Sequence, residues 1–182
     1  MASDSKHADA AGELSVHVDK LVISPEETKD LCAPVSVDVQ VSVSKPLQCP
    51  VWVLRLEVDM SSDANTERHV LPLAAQCAAA GSSTCCGSLA SPVWPAASLE
   101  QAQAEGSTGA LLRLSLYDAP GAAAARGATA ASEGKGGDDS DALEALVSST
   151  AGLPSLFDAS CLVDVEGDEG GSPVRNIYNP FE

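Results

Sequence analysis

Residues 35–58 read VSVDVQVSVSKPLQCPVWVLRLEV, and this segment carries the clearest structural pattern in the 182-residue chain. Valine occupies every second position from Val35 to Val43, with polar or charged residues between. After a loop that contains two prolines, a second run places Trp52 and three aliphatic residues on one face. An apolar residue at every second position predicts a strand that buries one face. The segment therefore predicts two strands, joined by a short loop, of antiparallel sheet packed against a single core.

The other apolar runs are short and predict further strands. They lie at residues 14–23, 68–73, 111–117, 161–165 and 174–178. The last two runs are joined by an acidic, glycine-rich loop, and this arrangement predicts a final hairpin. About seven short strands separated by turns are typical of an immunoglobulin-like antiparallel β-sandwich, which is an all-β fold.

Two local patterns surround the end of the first strand. Its apolar positions change parity partway along the run, so we predict a β-bulge near residues 19–20. Ser24, Pro25 and Glu27 then occupy the cap, first and third positions expected at the start of a helix. We therefore predict one short helix directly after the first strand.

The distribution of large apolar residues predicts one folded domain. Residues 74–109 and 119–142 are instead dominated by small residues and glycine, a low-complexity composition. Such segments bury too little apolar surface to offset the entropy of ordering, so we predict disordered insertions there. Residues 1–12 are predicted to form a disordered leader. Residues 13–182 are predicted to form a single β-sandwich domain that carries these two loops.

The formal net charge of −16 bears on the partners of the chain. Contacts with nucleic acid and with anionic membranes need Lys or Arg, so we predict no nucleic-acid binding and no membrane insertion. No apolar run approaches the length of a membrane span. An acidic chain is an electrostatic match for a basic protein partner, bound alone or within a larger complex.

The first residues of the sequence and its cysteines indicate the cellular compartment of the protein. Residues 1–6 lack the basic and apolar regions of a secretory signal peptide. The six cysteines of a chain that is not secreted are expected to be reduced thiols. We therefore predict an intracellular, cytoplasmic protein, with the nucleus and the cilium as open alternatives.

No pattern in the sequence predicts catalysis, and we expect a non-enzymatic protein without a cofactor. The acidic loop at residues 164–170 offers oxygen ligands for calcium, which leaves a C2-like calcium-binding module as an alternative. However, Glu169 and Arg175 occupy the positions where an EF-hand needs its glycine and its last carboxylate. The three cysteines within residues 77–86 lack the paired spacing of a zinc site. We predict a solvated turn and no metal.

Asn179, Pro180 and Phe181 form an Asn-Pro-Phe tripeptide near the end of the sequence. EH domains bind this tripeptide as a tight turn, with the Phe in an apolar pocket. Asn and Pro both favour turns, so the local chemistry fits. This interpretation predicts a trafficking or ciliary adaptor. In the other interpretation Pro180 ends the last strand and Phe181 packs on the sandwich.

Residues 16–58 resemble the N-terminal part of the Asf1-type histone chaperones. The shared layout is a strand, a proline-containing connection, an alternating strand, a short loop and a strand that bears Trp52. Residues 174–179, VRNIYN, are similar to the Ile-Arg-Val-Gly-Tyr-Tyr segment of that family. The resemblance implies an immunoglobulin-like fold and binding of histones H3 and H4, with Arg175 as a contact and Tyr178 beside it.

Together these patterns predict a non-catalytic, protein-binding adaptor or chaperone-like module that uses an edge strand of a β-sandwich. The last strand, at residues 174–178, is the predicted edge, because short terminal strands often accept an added strand. The predicted partner-binding residues are Arg175, Ile177, Tyr178, Asn179, Pro180 and Phe181. Histone binding, a tail-motif adaptor and a calcium module remain the alternatives.

Overall fold

The computed structural model describes residues 14–62, 65–91, 110–122, 139–166 and 174–181. Within these ranges the chain forms nine strands and one helix. The strands are β1 (Val16–Ser24), β2 (Glu27–Thr28), β3 (Ser36–Val43), β4 (Pro50–Ser62), β5 (Asn65–Cys77), β6 (Thr84–Ala90), β7 (Ala110–Asp118), β8 (Phe157–Glu166) and β9 (Val174–Tyr178). The helix is α1 (Asp139–Ser149).

The strands form two antiparallel sheets in a sandwich-like arrangement. The small sheet has the order β1-β3-β6, and the large sheet has the order β2-β9-β8-β7-β4-β5. One apolar core contains buried residues of both sheets. The structure is mostly β, and the predicted sandwich-like arrangement of antiparallel strands is confirmed at this level. The described residues form nine strands rather than about seven, because β2 is too short to show alternation and β6 lies within the predicted low-complexity loop.

The two strands of residues 35–58 belong to different sheets. The alternate valines of β3 are buried, as are Trp52, Leu54, Leu56 and Val58 of β4. The loop between them carries the chain from the small sheet to the large one, since β3 pairs with β1 and β6 while β4 pairs with β5 and β7. The two apolar faces that the sequence predicts therefore meet across the core rather than side by side.

Trp52 lies between the two sheets in the shared apolar core. Its side chain is fully buried, and Phe157 meets it edge-on with 6.1 Å between ring centroids. On the opposite sheet it lies against Gly87 of β6: a Cβ on Gly87 would be 2.6 Å from Trp52 Cδ1. Glycine is therefore required where β6 crosses the indole ring.

The predicted β-bulge and final hairpin are confirmed. The pairing of β1 with β3 shifts register between Val18 and Lys20, which returns the later apolar residues of β1 to the core. β8 and β9 pair as an antiparallel hairpin. The predicted leader at residues 1–12 lies outside the described residues.

The helix predicted after the first strand is wrong. Residues 25–34 form no helix, and Glu27–Thr28 instead pair with β9 as strand β2. Ile177 N also donates to Glu26 O at 2.7 Å. These long-range hydrogen bonds outweigh the local helix-start signal, since helix propensity is a weak preference that tertiary contacts override.

Both predicted low-complexity loops contain regular structure. β5 continues to Cys77, β6 spans Thr84–Ala90, and α1 begins at Asp139. Residues 92–109 and 123–138 lie outside the described residues. Packing accounts for these elements: β6 completes the small sheet, and α1 continues beyond residue 142 to Leu146 and Val147, which pack against a second apolar cluster.

The buried thiols predict a dependence of stability on pH. Burial raises the pKa of Cys85 and of Cys161 from 9.0 to about 11. The folded state therefore holds both protons more tightly than the unfolded state does. Their contribution is complete below pH 9 and is lost as the pH rises towards 11, so the free energy of unfolding should fall across this window. Urea unfolding at each pH measures the fall.

A variant with both thiols removed, Cys85→Ala/Cys161→Ala, is the control for this prediction. Lys and Tyr side chains also titrate in the same range, so the wild-type slope alone does not assign the effect. The variant should show a shallower fall with pH than the wild type. Equal slopes in the two proteins would contradict the assignment to these thiols.

Candidate functional site

A row of four apolar side chains and one glutamate crosses the outer face of the large sheet. Val70 pairs with Glu57, Glu57 with Leu111, Leu111 with Leu162, and Leu162 with Tyr178. Residues paired directly across antiparallel strands lie on the same face, so these five form one line across β5, β4, β7, β8 and β9. The large apolar side chains are exposed: 47% for Val70, 46% for Leu162 and 50% for Tyr178. We call these five residues the cross-sheet row.

The row exists because apolar residues occupy outward positions of strands whose inward positions are also apolar. On β8, Leu162 lies between the buried Cys161 and Val163. On β7, the half-buried Leu111 precedes the buried Leu112. Successive side chains of a strand point to opposite faces, so these outward residues add nothing to the core. They leave apolar surface on the outside of the sandwich.

Helix α1 covers the neighbouring part of the same face. Val51 and Val53 of β4 point away from the main core, yet both are fully buried. They form a second cluster, against which Tyr117, Leu146 and Val147 pack. The outer face is thus divided into a covered end beneath α1 and an open end that carries the cross-sheet row.

Arg55 marks the boundary between the covered and open ends. Its guanidinium donates to Tyr117 Oη at 3.0 Å and to Thr150 Oγ1 at 3.3 Å. The same group lies 5.5 Å from the centroid of the Tyr117 ring, within cation–π distance. These contacts tie the segment after α1 to the sheet.

A buried ion-pair cluster fills the middle of the row. The Glu57 carboxylate is 3.2 Å from Arg113 Nε and 3.5 Å from Arg68 Nη1. Its side chain is almost fully buried, whereas both arginines are partly exposed. The two cations compensate the one carboxylate of the row, and these three side chains together keep a net positive charge beside its apolar residues.

Acidic residues border the row at its β8–β9 end. Asp164 pairs with Asn176, Glu166 with Val174, and Glu27 with Asn176. By the alternation of the strands, these residues share the outer face with Leu162 and Tyr178. Glu27 and Glu166 are exposed, and Asp164 is partly so. We call Glu27, Asp164 and Glu166 the acidic rim.

The structure places the predicted contact Arg175 in the interior. Its side chain is fully buried and donates from Nη1 to Leu31 O at 3.1 Å and to Ala33 O at 2.9 Å. Burial lowers the pKa of the guanidinium from its ordinary value, and the nearby Asp30 opposes this shift. Arg175 therefore holds the segment that follows β2. Contact with a partner would require that segment to move away.

The other predicted residues divide between core and surface. Ile177 is buried in the core, while Tyr178 lies in the cross-sheet row. Asn179 donates from Nδ2 to Leu21 O at 3.2 Å and accepts from Phe181 N at 3.1 Å. Pro180 is exposed. Phe181 is 51% exposed and its ring lies 6.4 Å from that of Phe157. Residues 175–181 therefore do not form one surface.

β9 is not the free edge that the sequence predicts. It lies between β8 and the two-residue β2 in the large sheet. Other edges are also occupied or interrupted. Asn179 bonds the outer side of β1 at Leu21 O, and Gln76 Oε1 accepts from Ser88 N on β6 at 2.8 Å. Pro72 interrupts β5, since proline has no N–H to donate to an added strand. The outer face offers more binding surface than these edges.

The described residues contain no group of three or more His, Cys, Asp and Glu side chains placed to hold a metal ion. Cys85 is buried and Cys86 is exposed, because neighbours on β6 point to opposite faces. The two therefore do not converge on one ion. Residues 167–170 of the acidic loop lie outside the described residues, so the calcium alternative stays a prediction.

Comparison of the chain with models of known protein families finds no match, and comparison with curated proteins finds none either. The resemblance to the Asf1-type chaperones therefore stays a prediction. Within the described residues, no helix combines the length and the apolar composition needed to cross a membrane.

Proposed function

We propose that the chain is a non-catalytic protein-binding module, of adaptor or chaperone-like type, that binds its partner through the cross-sheet row. The observation that carries the proposal is the alignment of exposed Val70, Leu162 and Tyr178 in one line. Leu111, Leu162 and Tyr178 are direct neighbours across three strands, and exposed apolar surface of this kind on a folded protein is characteristic of an interaction site.

The surroundings of the row support this proposal. Inward neighbours such as Ile177 and Val163 are buried, so the strands hold the row on a rigid base. Tyrosine is enriched at protein interfaces because it buries a large ring at low entropic cost and retains a polar group. The partly exposed arginines beside Glu57 provide donors at the border of the row. A rigid apolar centre with polar surroundings is the usual anatomy of an interface.

The test removes apolar surface from the row without disturbing the core. In the variant Leu162→Ser/Tyr178→Ser, we expect recovery of the partner from native extract to fall at least about tenfold, since central aromatic and aliphatic anchors carry most interface energy. Exposed positions contribute little to stability, so the free energy of unfolding should change by less than about 1 kcal/mol. Recovery is quantified by mass spectrometry.

Val22→Ser is the matched control for this experiment. Val22 is 39% exposed on β1, in the other sheet, and takes no part in the row. This variant should recover the partner as the wild type does. If the double variant recovers every partner of the wild type, the row is not the binding surface.

The Asn-Pro-Phe segment supports a second proposal, a trafficking or ciliary adaptor that presents this turn. The Asn179 side chain already closes the turn by accepting from Phe181 N, and half of the Phe181 surface is exposed. The same pull-down separates the two proposals when Phe181→Ala is included. A partner lost from Phe181→Ala and kept by Leu162→Ser/Tyr178→Ser would favour the turn over the row.

We further propose that the sandwich is of the immunoglobulin-like type and that the protein acts inside the cell. Two facing antiparallel sheets around the buried Trp52 support the first proposal. The cysteines support the second, since no disulfide joins any of the six. The nucleus and the cilium stay open as compartments.

A further inference from the structure

We infer that the cross-sheet row takes a basic amphipathic protein segment, with apolar side chains on one face and Lys or Arg along one side. The inference rests on the proposed function and adds the chemistry of the partner. The observation that supports this inference is that the acidic rim lies beside the apolar residues of the cross-sheet row.

The rim lies next to the anchoring residues of the row. Asp164 and Glu166 are two and four positions beyond Leu162 on β8, on the same face. At about 3.3 Å per residue, their Cα atoms are about 7 Å and about 13 Å from that of Leu162. A cation next to an apolar anchor of the partner would therefore reach a carboxylate while the anchor contacts the row.

The arginines of the outer face make their contacts away from this rim. Arg68 and Arg113 lie against Glu57, and Arg55 bonds Tyr117 and Thr150. Arg68 lies on β5, Arg55 on β4, and Arg113 on β7 with its guanidinium against Glu57 of β4, whereas the rim lies on β2 and β8. The negative charge at the β8–β9 end is therefore available to an incoming cation.

The negative net charge of the chain favours some classes of binding partner for the cross-sheet row over others. A second copy would bring a further −16 of net charge and the same acidic rim. Nucleic acid would bring phosphates against the same carboxylates. Repulsion between like charges disfavours both complexes. A basic protein segment is instead attracted by the negative net charge of the chain and by the carboxylates of the acidic rim.

The dimensions of the row define the length of that segment. Val70 to Tyr178 spans four inter-strand steps of about 4.8 Å, or about 19 Å. About six residues of extended chain or about 13 residues of helix cover this distance. The segment should carry its cations on the side of the rim, away from α1.

The experiment selects ligands from a random peptide display library on the full chain. Selected sequences should combine apolar residues with an excess of Lys and Arg. For the tightest peptide, Leu162→Ser/Tyr178→Ser should abolish binding. Loss of rim charge in Asp164→Asn/Glu166→Gln should weaken binding about tenfold and reduce its dependence on salt. The matched control, Asp141→Asn/Glu144→Gln on α1, should bind within about twofold of the wild type.

The outcomes separate this inference from the proposed function. Peptides that need the row yet show no basic excess, or bind the rim variant with unchanged affinity, overturn the basic partner and leave the binding function standing. A library that yields only peptides bound equally by the row variant, or none at all, overturns both. Sedimentation of the chain alone should show a monomer, and a dimer that the row variant abolishes would identify a second copy as the occupant instead.

Discussion

Replacement of Gly87 by alanine is expected to lower the free energy of unfolding by about 3 kcal/mol. The new Cβ would lie 2.6 Å from Cδ1 of Trp52 and 2.9 Å from both Cγ and Nε1. Trp52 is fully buried, so its ring is enclosed by the core and does not reach solvent. Either β6 separates from the large sheet or the ring leaves its rotamer, and overpacking of this kind costs about 1–3 kcal/mol or more. Urea unfolding measures the change.

Two further variants assign this effect to the contact. Gly121→Ala is the matched control, because a Cβ there meets no atom within 4 Å and should leave stability within about 0.5 kcal/mol of the wild type. In a Trp52→Leu background the smaller side chain makes room, so the additional cost of Gly87→Ala should shrink. Equal costs in both backgrounds would show that the indole contact is not the cause.

Replacement of Arg175 by leucine is expected to cost about 3 kcal/mol of stability. The guanidinium bonds two loop carbonyls, Leu31 O and Ala33 O, from a fully buried position. Leucine leaves both without this donor, and a buried polar group that loses its partner costs about 1–3 kcal/mol. Urea unfolding measures the cost, and amide hydrogen exchange should rise first in residues 25–34.

Lys29→Leu is the control for Arg175→Leu. It removes an exposed cation from the same segment, so we expect less than about 0.5 kcal/mol of change. Similar costs for the two variants, or unchanged exchange in residues 25–34, would contradict the structural role of Arg175. Because Arg175 is buried, a charge reversal to glutamate would place a carboxylate in the interior and destabilise the fold, so it would not test the predicted contact of Arg175 with a partner.

Periodicity predicted the parts of the fold in which one strand face is apolar and the other polar. β3 and β9 begin and end within one residue of the runs found in the sequence. The parity of β9 also placed Arg175 on the same face as Ile177, although arginine alone indicated a surface position. Its burial depends on carbonyls of the 31–33 loop, which is more than 140 positions away and invisible to a local pattern.

Elements defined by distant partners were missed. β6 alternates Cys85, Gly87 and Leu89 inward, and a glycine at the middle position hides the apolar pattern. Only the ring of Trp52 in the opposite sheet explains that glycine. β2 has two residues, and it forms a strand because it pairs with β9. Neither element has a local signal strong enough to overcome the helix-start pattern or the low complexity around it.

The sequence predicted only part of the candidate site. Tyr178 was a predicted binding residue, whereas its neighbours Leu162, Leu111 and Val70 were not. A signal was present, because Leu162 interrupts the alternation between two inward residues and Leu111 does so before Leu112. The sequence does not contain the register that brings these residues into one line. That line follows from the strand order β9-β8-β7-β4-β5, which depends on long-range pairing.

Site-specific photo-crosslinking tests the binding role of the cross-sheet row most directly. A benzophenone amino acid is placed at position 162, at position 178, or at position 22 on the other sheet, and each protein is irradiated in native extract. If the row is the binding surface, positions 162 and 178 attach to the same partner and position 22 does not. Attachment of that partner from position 22 alone, or equally from all three positions, would contradict the assignment of the binding surface.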